Sequence, residues 1–267
     1  MLTVIKLGGA AGLDHAPAIA DIADLARQGE RLVVVHGCSH AADTLGEALG
    51  VPARYVTSSA GVRSRYTDAA TLRVFLMAAQ QVNAEIVAAL QRRGVAAVGL
   101  SGLDGGLLRG PRKATLRIVE DGRQRMLHDD HTGRVERVNA ALLRLLLDAG
   151  YLPVIAPLAL ADSGEIVNVD GDRAAAAIAV ALNADALALL SNVPGLLADP
   201  HDERSVVASL PADDAREYEQ RVTGGMRRKL MGAREALRGG VQRVVLGDGR
   251  IRHPVRVALA GKGTVIA

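Results

Sequence analysis

Val4-Ile5-Lys6-Leu7-Gly8-Gly9 is the stretch from which the rest of the chain can be read. Residues 3–7 are apolar and β-prone, with one lysine near the end, and two glycines follow at once. Glycines have no Cβ to keep backbone N–H groups away from an anion, and a neighbouring lysine adds a compact positive charge. A strand that ends this way suits a phosphoryl group. On these residues alone, an edge lysine beside an ordinary turn fits equally well.

Composition draws attention to the lysine. Among 32 basic residues only four are lysine: Lys6, Lys113, Lys229 and Lys262. A chain so biased toward arginine keeps lysine where a small point charge is needed, which singles out Lys6 and Lys229. The 267 residues allow one or two domains with a sizeable core. A net charge of +3 fits an anionic substrate or partner, whereas 2% aromatic content leaves few stacking platforms for nucleic acid. One cysteine, Cys38, excludes an internal disulfide framework and suits a reducing cytoplasm. Lys6 interrupts an N-terminal apolar run that is too short for a signal peptide, and no other run reads as a membrane span.

Outward from residues 3–7, short apolar segments alternate with amphipathic ones. Strands are expected at 32–35, 96–100, 152–156, 186–190, 243–247 and 264–266. Helices are expected at 14–27, 39–50, 67–93, 138–149, 171–182, 211–220 and 225–238, with Asp14 and Ser39 as caps. Residues 52–66 read as irregular. Segments 114–119 and 123–127 flank Glu120-Asp121-Gly122 as a hairpin. There is no internal repeat or low-complexity linker. The alternation predicts an α/β fold with a mainly parallel sheet, helices on both faces, and ligands at the carboxyl ends of its strands.

Several chemistries lack their motifs. Gly261-Lys262-Gly263 is not a Walker A loop, and no G-x-G-x-x-G occurs. His36 and His40 have no zinc-helix glutamate, and His128-Asp129-Asp130-His131 reads as a solvated loop. Ser101 in Gly99-Leu100-Ser101-Gly102 falls one residue short of a nucleophile elbow. What remains is glycine-rich turns after strands. Val35-His36-Gly37 matches Leu7-Gly8-Gly9, and adjacent turns of this kind form an anion cradle. Arg65 stands at a helix entrance where it can grip a carboxylate. Asn168-Val169-Asp170-Gly171-Asp172 holds more polar residues than one helix cap needs, and Gly224-Gly225-Met226-Arg227-Arg228-Lys229 brings the second singled-out lysine.

Seven motifs in order carry a resemblance: Lys6-Leu-Gly-Gly, His36-Gly37, Arg65-x-Thr-Asp, Gly99-Leu-Ser-Gly, Asn168-x-Asp-x-Asp172, Ser191-Asn-Val-Pro-Gly195 and Gly224-Gly-Met-x-x-Lys229. Together they span nearly the whole chain and resemble the amino acid kinase family, most closely its N-acetylglutamate kinase branch. The resemblance implies a three-layer αβα sandwich with a mostly parallel central sheet. An N-terminal lobe, 1–184, would bind the acyl substrate and dimerise, and a C-terminal lobe, 185–267, would bind ATP with Mg2+. It also implies roles. Lys6 and Lys229 neutralise the transferring phosphoryl group, and Asp172 holds both lysines. Gly8, Gly9 and Gly37 supply amides beside Cys38. Arg65 and Asn168 bind the substrate, and Ser191, Asn192, Val193, Gly195, Leu196, Gly225 and Met226 contact the nucleotide. No metal ligand is implied. A carboxylate is already a nucleophile, so the absence of an evident general base fits.

The departures narrow the branch. His36-Gly37-Cys38-Ser39 stands where N-acetylglutamate kinases usually read His-Gly-Gly-Gly, which narrows the pocket and makes a left-handed backbone costlier. Leu103 replaces a frequent lysine. Both that change and Gly102-Leu103-Asp104-Gly105 look more like the carrier-linked relatives, the [LysW]-aminoadipate and [LysW]-glutamate kinases, whose amino acid is tethered to a small acidic carrier protein. The expected reaction is ATP-dependent phosphorylation of the side-chain carboxylate of carrier-linked 2-aminoadipate, in lysine biosynthesis. N-acetylglutamate or carrier-linked glutamate, in arginine biosynthesis, stands beside it, and a nucleotide- and amino-acid-binding sensor without turnover is the alternative of another class. Arg109, Arg112, Lys113, Arg117, Arg123 and Arg125, with Arg63 nearby, would meet the acidic carrier. A homodimer is expected, because the chain begins directly on its first strand and Leu72, Phe75, Leu76, Ala79 and Val82 could serve core and interface together.

Overall fold

A computed structural model describes residues 1–267 apart from 59, 60, 62, 114, 121 and 122. The first strand, Leu2–Leu7, lies inside an eight-stranded sheet. In spatial order the strands are Ser209–Leu210, Thr264–Ile266, Arg243–Asp248, Ala186–Ser191, Leu2–Leu7, Arg31–His36, Leu152–Ala156 and Ala97–Ser101. The six from Arg243–Asp248 to Ala97–Ser101 run parallel; Thr264–Ile266 turns antiparallel to Arg243–Asp248, and the edge strand Ser209–Leu210 pairs parallel with Thr264–Ile266. Their near-continuous Val, Leu and Ala content follows from burial on both faces.

Strand periodicity divides the core in two. Val4, Val33, Val35 and Leu189 pack toward helices Ala140–Asp148, Gly171–Leu182 and Gly224–Arg238. Ile5, Leu7, Val34 and Leu190 pack toward helices Ala16–Arg27, Ser39–Ala48, Ala69–Gln91 and Pro254–Leu259. Lys6 alternates with Val4 and so shares the side of Gly171–Leu182 and Gly224–Arg238. The molecule is therefore the expected αβα sandwich. The boundary at 184/185 falls within this continuous sheet, since Leu2–Leu7 pairs directly with Ala186–Ser191.

Some local expectations are corrected. Ser39 is the first helical residue rather than the cap, and its hydroxyl donates to the Gly9 carbonyl at 2.7 Å. Asp14 accepts from the Ala16 amide, but His15 holds the cap position. Residues 52–66 are not wholly irregular, because Tyr55–Thr57 and Arg63–Arg65 form an antiparallel pair. The hairpin is Thr115–Glu120 with Arg123–His128, and the turn residues Asp121 and Gly122 lie outside the described residues. A second sheet of short strands, Ile166–Asn168, Leu158–Ala161, Leu108–Gly110 and Arg137–Val138, was not foreseen. His128-Asp129-Asp130-His131 is not a solvated loop throughout. Asp130 is fully buried, accepting from the Thr67 amide and the Thr132 hydroxyl. On helix Ala69–Gln91, Leu72, Phe75, Ala79 and Val82 are buried within the chain itself, so they are not left over for an interface.

Candidate active site

The carboxyl ends of the parallel strands open into a cleft of about 1060 Å³. Every residue expected at the site lines it, although the residues come from segments up to 223 positions apart, Lys6 to Lys229.

The cleft floor is built around Asp172. Asp170 caps helix Gly171–Leu182 by accepting from the amides of Asp172 and Arg173, which sets Asp172 in the first turn, facing the sheet. Lys6 Nζ lies 2.7 Å from Asp172 Oδ1, and Lys229 Nζ lies 3.0 Å from Oδ2. Lys229 reaches that point because Gly232, one turn on, lets the two helices close up. A Cβ at Gly232 would stand 3.1 Å from the Asp172 carbonyl oxygen. All three side chains are at least nine-tenths covered. Burial alone would raise the Asp172 carboxyl, but Lys229 and Lys6 outweigh it and hold the group well below the usual carboxylate range. Burial also lowers the Lys229 ammonium, with Asp172 opposing the shift. Two ammonium groups on one carboxylate leave the floor one positive charge in excess.

The two glycine turns interlock above Lys6. A Cβ on Gly9 would stand 2.3 Å from the Gly37 carbonyl carbon and 2.4 Å from the Cys38 nitrogen. The amide of Gly37 donates to the Leu7 carbonyl at 2.8 Å, so Gly37 contributes closeness rather than a free donor. Among the described residues the amides of Gly8, Gly9 and Cys38 have no acceptor, and all three residues line the cleft. Cys38 has φ −141°, so the left-handed strain expected where glycine is usual is absent. Its thiol, desolvated by burial, is pushed up to about 12 and stays protonated. Beneath the turn, His36 is fully buried and desolvation lowers it to about 4. The neutral ring accepts at Nε2 from Asn83 Nδ2, 3.2 Å away. Asn83 also donates to the Val154 carbonyl and was missed from sequence. Its signal was a polar residue on the apolar stripe of Phe75, Ala79 and Ile86.

On the side of the cleft that carries Arg65 and Asn168, Arg65 is buried and already engaged. Its guanidinium meets Asp43 at 2.7 Å, the Tyr55 hydroxyl at 2.8 Å and the Ser39 carbonyl at 3.1 Å. Asn168 donates to Thr67 Oγ1 at 3.2 Å. Arg112 is turned inward onto Glu165, Asp129 and the Asp130 carbonyl, which removes it from the exposed set expected to meet a carrier. On the other side, Ser191 to Leu196 follow strand Ala186–Ser191. The Ser191 hydroxyl is buried without a partner, and the Leu196 amide is held by Thr264 Oγ1 at 2.8 Å. Gly225 and Met226 open the helix that carries Lys229. Ser101 is structural: its amide and hydroxyl both donate to Asp104. The two carboxylates on the cleft wall, Asp170 and Asp172, are both paired, by Arg228 and by the lysines. They do not fit a protein-held divalent ion, and no group of three potential metal ligands occurs among the described residues.

A parallel sheet with anion-binding turns and paired lysines at its carboxyl edge defines a phosphotransferase-type site. The sequence matches the amino acid kinase family over residues 1–248, and the chain belongs to that family. It is 49% identical over 267 residues to the [LysW]-aminoadipate kinase of Deinococcus radiodurans, covering all of this chain and 91% of that one. It is 47% identical to the [LysW]-aminoadipate kinase of Thermus thermophilus, covering 99% of this chain and 100% of that one. Among solved structures, N-acetylglutamate synthase from Neisseria gonorrhoeae with coenzyme A and N-acetyl-glutamate superposes with a TM-score of 0.80 at 29% identity. That match covers all of this chain but 59% of the longer one.

Proposed function

We propose that the chain is an ATP-dependent kinase that phosphorylates the side-chain carboxylate of 2-aminoadipate carried on a small acidic amino-group carrier protein of the LysW type, in lysine biosynthesis. The observation that carries this reading is the buried Lys6–Asp172–Lys229 cluster beneath two interlocked glycine turns. The names of the two relatives supply the substrate. The first lobe takes the acyl group, and the second takes the nucleotide against Ser191–Leu196, Gly225 and Met226.

In this mechanism a carboxylate oxygen of the substrate attacks the γ-phosphorus. An O–P bond forms as the bond to the leaving diphosphate breaks. No proton has to be removed from the nucleophile, so the wall needs no base. Asp172 holds both ammonium groups in place before the reaction. Their excess charge, with the amides of Gly8, Gly9 and Cys38, meets the charge spread over the transferring oxygens. Mg2+ would arrive with the nucleotide phosphates and neutralise part of their charge. The reading places the enzyme in the cytoplasm as a homodimer. A monomer or a hexamer by sedimentation would remove the dimer from this reading.

The deciding experiment measures ADP release with carrier-linked aminoadipate, carrier-linked glutamate and free N-acetylglutamate. The proposal expects the first to be turned over best. Preference for either of the others moves the enzyme to arginine biosynthesis, and ligand binding without ADP release would make the chain a sensor.

A further inference from the structure

His15 precedes helix Ala16–Arg27, in the position where serine, threonine or aspartate usually closes the first turn. Its side chain makes no capping bond to its own helix. The ring turns back instead, and Nε2 lies 2.7 Å from the carbonyl oxygen of Gly8. A carbonyl can only accept, so Nε2 carries a proton and donates it. Among the described residues no backbone amide donates to that oxygen, which leaves His15 as its support. The next carbonyl, of Gly9, is held twice, by the Ser39 hydroxyl at 2.7 Å and the His40 amide at 2.8 Å.

These bonds reach the phosphoryl side through the peptide plane. In a trans peptide the C=O and the following N–H point in opposite directions. Fixing the Gly8 oxygen therefore fixes the Gly9 amide, and fixing the Gly9 oxygen fixes the Ala10 amide. Among the described residues both amides lack an acceptor, and Gly9 and Ala10 line the cleft, whereas His15 does not. The Gly8–Gly9 unit is the one that most needs holding. A Cβ on Gly8 would stand 2.7 Å from Leu13 Cδ1, and one on Gly9 2.3 Å from the Gly37 carbonyl carbon, so close packing requires glycine at both. A peptide between two glycines, however, turns over at little steric cost. Turned over, it would present a carbonyl oxygen where the transferring phosphoryl group needs a donor. The residues that make the turn fit closely thus leave its polarity undecided, and the imidazole decides it.

We propose that His15 is a positioning residue for phosphoryl transfer. By donating to the Gly8 carbonyl it holds the Gly8–Gly9 peptide with its amide toward the transferring group, without touching either substrate. This rests on the phosphotransfer reading above and deepens it.

The test uses the full-length enzyme and two readouts, one of which needs no acyl turnover. The first is steady-state ADP release with the acyl substrate that wild type prefers. The second compares binding of ADP alone with binding of ADP plus aluminium fluoride, which imitates the transferring phosphoryl group. His15→Phe keeps a flat ring and removes the donor; His15→Gln restores an N–H of similar reach. His15→Phe should lower kcat roughly 10- to 100-fold, somewhat less than deletion of an oxyanion donor, with KM for ATP and for the acyl substrate changed less than about threefold. The advantage that fluoride adds to ADP binding should fall by a similar factor, while ADP alone binds as in wild type. His15→Gln should recover most of both losses. The proposal is overturned if His15→Phe keeps both quantities within about twofold of wild type, if ADP alone is weakened to the same extent, or if His15→Gln recovers nothing. If wild type turns over no acyl substrate, the kinase reading falls, and the fluoride comparison still decides the role of His15. If wild type shows no fluoride advantage, the two fall together. Thermal unfolding reports whether the variants have folded, and His15→Leu replaces His15→Phe if that one has not.

Discussion

Lys6, Asp172 and Lys229 on the cleft floor and Arg117, Arg123 and Arg125 on the outer hairpin are both charged clusters, yet the surrounding protein treats them in opposite ways. The floor residues project from a central strand and two helix starts, and each is at least nine-tenths covered. The hairpin arginines are exposed, and Arg125 shares Glu120 with Arg54. A buried charge is fixed by packing and acts at short range in a low dielectric. An exposed charge acts over longer distance and weakly, because water and salt screen it. Under the proposed function the difference separates chemistry from capture: the floor would set how fast the phosphoryl group moves, and the rim what is drawn to the cleft.

Five variants break or sharpen that contrast. Lys229→Ala should lower kcat by at least ~10²-fold with little change in thermal unfolding, since it removes charge stabilisation made mainly in the transition state. Wild-type turnover in that variant would end the argument for the floor. Lys6→Arg should also be severely impaired, because a larger fork cannot occupy a point-charge position 2.7 Å from Asp172.

Next comes the ring beneath the floor. His36 has a folded value of about 4 against an ordinary 6.5, so above pH 6.5 it is neutral in both states. Between pH 6.5 and 4 the unfolded chain takes up a proton that the folded chain refuses. Stability therefore falls with falling pH in that window, by up to about 3 kcal/mol from this group, and levels off below it. Urea midpoints at pH 7 and 4.5 should differ less for His36→Gln than for wild type; an unchanged difference would show that the ring is not the cause.

Gly9→Ala should destabilise by about 1–3 kcal/mol, as overpacking against backbone does, and should slow turnover by disturbing the turn. A fully active, equally stable variant would mean that the turns tolerate separation. The smallest effect belongs to the rim. Arg117→Ser with Arg123→Ser should raise the apparent KM for a tethered substrate severalfold, leave kcat unchanged, and flatten the salt dependence, because exposed charges are screened beyond about 8 Å at physiological ionic strength. Identical salt curves for variant and wild type would remove the hairpin from capture.

The floor residues and the outer hairpin were legible in the sequence; the second sheet and the partners of Arg65 and Arg112 were not, for physical reasons. Residues that end parallel strands or begin helices carry strong local signals, and helix Gly171–Leu182 appears with the expected bounds. The strands of the second sheet run two to four residues, too short for a period to show. Ser39 looked like a cap because serine usually caps. Here the Gly9 carbonyl, 30 positions away in sequence, competes for its hydroxyl. Whether Arg65 and Arg112 face a ligand or another part of the chain depends on Asp43 and Glu165, tertiary partners that no local pattern announces.

The ladder under the cleft has a mechanical consequence. Leu2–Leu7 pairs with Arg31–His36 on one side and Ala186–Ser191 on the other, so a single strand joins the proposed acyl and nucleotide sides of the cleft. There is no seam along which the halves could part without tearing hydrogen bonds. If the cleft opens and closes, the movement would fall to twisting of the sheet and to the hairpins above it, with the floor as a stiff spine. Hydrogen exchange should register this as two populations. The amides of Ile5 and Leu189 should exchange only on global unfolding, and those of Arg63–Arg65 and Arg123–His128 long before it.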